Sequence, residues 1–188
     1  MMRIRGAPLG ALLALATAGP VAAQPSGVEG PLAGLAPLVG VWHAQGAGFS
    51  TTLRYRWIFD GRLLEASNEV RNRDGRVIAR YHGSYFWDAG QSAIVFVTAS
   101  AGGEVHRGRA WWRDGVLWHE AEVSGGSIAA YASAVRPVAG RLEYFAAYGS
   151  RKADPGLIEG EALVYTAAED GASTPERTAR PPALLPDD

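Results

Sequence analysis

Apolar and polar residues alternate with a period of two along much of this chain. In 53–59, Leu53, Tyr55, Trp57 and Phe59 are large and apolar, and Arg54 and Arg56 fall between them. That pattern sets one face of a strand on a core and the other in water. Val77, Ala79, Tyr81, Gly83, Tyr85 and Trp87 alternate with Arg80, His82 and Ser84 in the same way. So do Leu142, Tyr144, Ala146 and Tyr148 with Arg141 and Glu143. Residues 92–98 are instead nearly continuous Ile, Val and Phe, which predicts a strand covered on both faces.

Turn signals punctuate these runs at Asp60-Gly61, Asp74-Gly75, Asp88-Ala89-Gly90, Gly102-Gly103, Asp114-Gly115, Gly125-Gly126 and Ala139-Gly140. Asp-Gly and Gly-Gly suit tight hairpins, whose central residues need positive φ. The signals fall about 11 to 15 residues apart, which leaves room for strands and none for crossover helices. The prediction is all-β: an antiparallel meander of nine or ten strands between 39 and 166, closed into a barrel because closure removes the exposed edges. One short apolar segment, 31–39, predicts a turn that closes a barrel end.

The two ends of the chain read differently. Arg3 and Arg5 precede an apolar run at 7–18, then Gly19-Pro20 and the small-residue pattern Val21-Ala22-Ala23. This order predicts a secretory signal, residues 1–23, cleaved after Ala23. The run is shorter than the roughly 20 residues that span a bilayer, so no membrane span is predicted. Residues 24–31 form a flexible lead-in, 32–167 the barrel domain, and 168–188 a disordered tail carrying Pro175, Pro181, Pro182 and Pro186. The protein is expected in the periplasm or outside the cell.

Composition narrows the chemistry. There is no Cys, so disulfides, thiolate metal sites and Cys catalysis are excluded, and the fold must rest on its own core. Net charge is −1, from 18 basic and 19 acidic residues. Without Arg3 and Arg5 it becomes 16 minus 19, or −3, with the signs interspersed. Such a balance offers nothing to nucleic acid.

Leu38-Val39-Gly40-Val41-Trp42 resembles the Gly-x-Trp signature that opens lipocalins and other calycins. The resemblance implies structural roles for two residues: Trp42 across the barrel base, and Gly40 where the chain passes close beneath it. The segment from Trp57 to Glu65, followed by Tyr81-His82-Gly83-Ser84-Tyr85-Phe86-Trp87-Asp88, is similar to bacterial lipocalin-like proteins of uncharacterised function. That similarity covers roughly 38–123 and implies a calycin-like barrel. The chain departs from true lipocalins in having no Thr-Asp-Tyr motif after the middle strands and no Arg in its last strand. A more distant resemblance is to nitrobindin, which holds haem through a His near its C-terminal end. Here His occurs at 43, 82, 106 and 119, with none in the final strands, so no cofactor is expected.

Catalytic signatures are sparse. The chain contains no Gly-x-Ser-x-Gly elbow and no phosphate loop. His119-Glu120-Ala121-Glu122 lacks the second His of a zinc protease, and on a strand His119 and Glu120 face opposite ways, so no metal site is expected. The strand alternation places Tyr55, Asn68, Tyr81, Arg109, His119, Tyr144 and Tyr148 on or near inward faces. Together with Trp57 they are the candidate ligand-binding residues.

Three functions fit. One is an exported carrier for a small apolar or aromatic molecule. Another is a barrel enzyme, an isomerase, cyclase or hydrolase on an apolar substrate, with His119 as acid-base group and a Tyr or Arg109 stabilising negative charge. The third is a packed structural or interaction domain without a pocket.

Overall fold

The computed structural model describes residues 29–149 and 153–168. The predicted signal, most of the lead-in and nearly all of the predicted tail lie outside the described residues. Ten antiparallel strands follow one another around a closed barrel: β1 Gly40–Gly46, β2 Phe49–Ile58, β3 Leu63–Asn72, β4 Val77–Asp88, β5 Ala93–Ser100, β6 Val105–Arg113, β7 Val116–Ser124, β8 Ala130–Val138, β9 Arg141–Tyr148 and β10 Leu163–Ala167. β10 pairs with β1 through Trp42↔Ala167 and closes the ring. From β1 to β9 each strand joins the next by a short turn, whereas a longer connection links β9 to β10. At Asp114-Gly115 both residues have positive φ, the two-residue hairpin geometry that Asp-Gly favours.

A 3-10 helix, Ala33–Leu38, precedes β1 and plugs one end of the barrel. Its Leu35 and Leu38 are fully buried and pack in one core with Trp42, Leu64, Leu117 and Leu142. The indole N–H of Trp42 donates to the Leu38 carbonyl at 2.7 Å, tying β1 to the plug. Gly40 has φ of +138°, and a side chain there would meet the Trp42 ring at 3.6 Å.

Register explains the inner face. Tyr55, Ala66, Gly83 and Thr98 stand in one row across β2 to β5, and Leu64, Tyr85, Phe96 and Gly108 in the row beside it. Gly108 is required where β6 runs against β7, since a Cβ there would lie 1.8 Å from the Glu120 carbonyl oxygen. A glycine inside a strand marks such close approaches in curved sheets.

The doubly covered strand is not the one expected. On β5, Ile94 and Phe96 are buried, but the outward Val95 and Val97 are only half-buried. Covering on both faces occurs instead on β8, where Ala130 to Val135 are all buried, and at the start of β7. The cause is the β9–β10 connection. Its 3-10 turn, Pro155–Glu159, lies over the outside of the barrel, and Leu157 and Ile158 pack on Trp118, Ala134 and Phe145. The Ala153 N–H donates to Glu120 at 2.8 Å and pins this clamp. Phe59, grouped with the inward residues of β2 by alternation, sits instead in the β2–β3 turn with positive φ and is 72% exposed. Among the described residues no helix is long and apolar enough to cross a membrane.

Candidate functional site

The end of the barrel opposite the plug holds a cavity of 390 Å³. The turns that follow β1, β3, β5 and β7 surround its mouth. Among the described residues no Arg, Lys, Asp or Glu lines it. Its upper wall is apolar, with Phe49, Val70, Ala79 and Leu163. The deeper wall carries hydroxyls and one imidazole.

His119 is the centre of that deeper wall. It faces inward on β7, directly across from Ser133 on β8, and is 3% exposed. Its Nδ1 lies 3.2 Å from the Ser133 Oγ, and its Nε2 lies 3.0 Å from the Tyr85 hydroxyl. Tyr85 comes from β4, across β5 and β6. The ring of His119 reaches it by crossing Phe96 edge-on, with centroids 5.4 Å apart. Burial disfavours the imidazolium and pushes the His119 pKa down to about 4, against a smaller upward pull from hydrogen bonding to Ser133. The imidazole is therefore neutral at physiological pH.

The phenols are neutral for the same reason. Burial raises Tyr85 and Tyr55 well above the ordinary phenol value, with neighbouring tyrosines adding to the effect on Tyr55. Burial likewise raises Tyr131 to about 12 and pushes Tyr144 up. The Tyr131 and Tyr144 hydroxyls bond to one another. Thr51 donates to the Asn68 side-chain oxygen at 2.6 Å on the opposite wall. The result is a cavity rich in neutral hydrogen-bonding groups, with no Arg, Lys, Asp or Glu among the described lining residues.

Nearer the mouth, His106 is also buried, at 8% exposure, with its ring edge-on to Tyr131 at 5.2 Å. Its Nε2 makes no hydrogen bond among the described residues and lies 3.5 Å from the Glu104 carboxylate.

Of the residues named from sequence, Tyr55, Asn68, Tyr81, His119, Tyr144 and Tyr148 line this one cavity. Tyr148 stands at the rim and is 68% exposed. Trp57 does not line it; two residues past Tyr55, it packs against the core at the plugged end. Arg109 is a correction. It pairs with Val95 and Glu120, exposed on the outer face of β6, while its neighbours Gly108 and Ala110 face in. By period-two alternation Arg109 shares the face of Arg107, opposite to the buried His106. Gly40 and Trp42 lie at the plugged end, away from the cavity.

Tyr85, Ser133, Tyr131 and Tyr165 were missed. Tyr85 lies four residues after Tyr81 on one strand and shares its face, so the period-two pattern contained that signal. Ser133 and Tyr131 sit in a run of small and apolar residues covered on both sides, where alternation vanishes.

No family model and no curated protein matches the chain. Among solved structures it is similar to Rv2717c from M. tuberculosis, with a TM-score of 0.53 and 17% sequence identity, covering 73% of this chain and 97% of that one. At that identity the likeness concerns the barrel fold.

Proposed function

We propose that this protein binds and carries a small, uncharged, apolar or aromatic molecule inside a lipocalin-like barrel. The observation that carries this reading is the 390 Å³ cavity lined by aromatic and apolar side chains around a buried, neutral hydrogen-bonding floor. Ligand pockets of small molecules have this size range and this balance of apolar wall and few polar groups. A fully packed interaction domain would have no use for such a space. An enzyme in which His119 works beside Arg109 lacks support, because that guanidinium is on the outside of the barrel.

Native mass spectrometry of protein purified from its own host tests the proposal. A retained small molecule, released on denaturation and rebinding at micromolar concentration, is the expected result. An empty protein that takes up no member of a broad apolar and aromatic panel would refute it. We propose further that the protein is exported and that its mature form begins at Gln24, on the strength of the signal-like pattern in residues 1–23. N-terminal sequencing of protein from the periplasm or medium checks this, and a retained Met1 would overturn it.

A further inference from the structure

The hydrogen-bond inventory of the cavity floor restricts the functional group its occupant carries. Among the described residues the lining holds no Arg, Lys, Asp or Glu, and burial keeps His119 and the surrounding phenols neutral. A carboxylate or ammonium entering this space would lose its water without finding an Arg, Lys, Asp or Glu to pair with, which is strongly unfavourable. A plain hydrocarbon is also a poor match. It would strip water from the Tyr55, Tyr85 and Tyr131 hydroxyls and give nothing back.

Proton counting at His119 makes the point sharper. A neutral imidazole has one N–H and one acceptor nitrogen, while both of its neighbours, Ser133 and Tyr85, are hydroxyls that can donate or accept. With the proton on Nδ1, His119 donates to Ser133. Tyr85 then donates to Nε2, and its oxygen is left as an acceptor for the Tyr55 hydroxyl and for an occupant of the cavity. With the proton on Nε2, His119 donates to Tyr85 and Ser133 donates to Nδ1. The Tyr85 proton is then free to be donated into the cavity. The two arrangements differ only by a tautomer and the rotation of two hydroxyls, and neither places a charge in the core.

We propose that the ligand carries an uncharged oxygen, a hydroxyl or a carbonyl, on an apolar ring skeleton, and that the Tyr85 hydroxyl binds that oxygen. A ligand hydroxyl is met by the first arrangement and a carbonyl by the second, while the skeleton lies along Phe49, Val70 and Leu163 nearer the mouth. This assignment rests on the ligand-binding reading above.

The test uses bicyclic compounds matched in size: naphthalene, 1-naphthol, 1-tetralone, 1-naphthoate and 1-naphthylmethylammonium, titrated calorimetrically into the wild-type protein at neutral pH. Naphthol and tetralone should bind about tenfold tighter than naphthalene, which is about 1.4 kcal/mol. Naphthoate and the ammonium compound should bind at least about tenfold more weakly than naphthalene, because their charges stay unpaired. In Tyr85→Phe the advantage of the oxygenated compounds should vanish while naphthalene affinity is kept. Imidazole ¹⁵N spectra of the wild type give a reading independent of that variant's folding. Naphthol should favour the Nδ1–H tautomer of His119 and tetralone the Nε2–H tautomer. Naphthalene binding as tightly as naphthol, naphthoate binding tightest, or an unchanged tautomer would overturn the assignment and leave ligand binding intact. Failure of every compound to bind would overturn ligand binding itself.

Discussion

Protonation of His119 should make the fold acid-sensitive well above the range where carboxylates titrate. Burial lowers its pKa from 6.5 to about 4. Between those two values the unfolded chain binds a proton that the native chain refuses, so stability falls as the pH falls. Above about pH 7 neither state is protonated and the contribution is flat. Below about pH 4 both are, and the loss stops growing at about 3 kcal/mol, since each tenfold difference in proton affinity is worth about 1.4 kcal/mol. At pH 5 the loss is already about 2 kcal/mol. The carboxylates of Glu65 and Glu69 act in a different window. Hydrogen bonds from Arg56 and Arg80 hold them below their ordinary 4.5, so their contribution is lost only at lower pH. The measurement is urea denaturation at pH 7, 6 and 5 for wild type and His119→Gln, whose amide still reaches toward Tyr85. The wild type should lose about 2 kcal/mol more than the variant between pH 7 and 5, at constant m-value. Parallel curves for the two proteins would show that His119 is not held neutral in a dry interior.

Other outcomes follow from the packing. Trp42→Ala should cost about 3 to 5 kcal/mol in chemical denaturation, as for other buried aromatics. Trp42→Phe should cost about 1 to 2, reflecting mainly the lost hydrogen bond to Leu38; a midpoint near wild type for both would mean the plug does not hold the barrel. Gly108→Val should fail to fold or lose about 3 kcal/mol or more, since the added side chain collides with the Glu120 carbonyl. A soluble variant with the wild-type midpoint would refute the close approach of β6 and β7. Leu157→Ala should cost about 1 to 2 kcal/mol and shift Trp118 emission to the red, with ligand affinity unchanged, because the clamp lies outside the barrel.

The meander was legible because its evidence is local. Alternation along β2 and β9 and the Asp-Gly turns each need only a few neighbouring residues to be read. The floor of the site was half legible. His119 and Tyr55 stand out by type and alternation, but their partners depend on which strands face each other across the barrel. The β9–β10 clamp carries no periodic signal. Leu157 and Ile158 lie in a Gly- and Pro-containing stretch that reads as loop, yet they decide that β8, and not β5, is covered on both faces. Arg109 failed for the opposite reason: its own strand already contained the correct phase in Arg107.

The external clamp gives the barrel two walls of unequal stiffness. β7, β8 and β9 are held between the core and the 153–162 segment, whereas β3 and β4 have packed side chains on one side only. Amide hydrogens of Trp118, Ala134 and Phe145 should therefore exchange with solvent only on the slowest, near-global opening. Those of Val70 and Ala79, beside the register irregularity between Val70 and Arg71, should exchange by local fluctuation. A molecule entering the cavity would thus pass along the compliant wall, while the stiff wall keeps Ser133 and His119 in place.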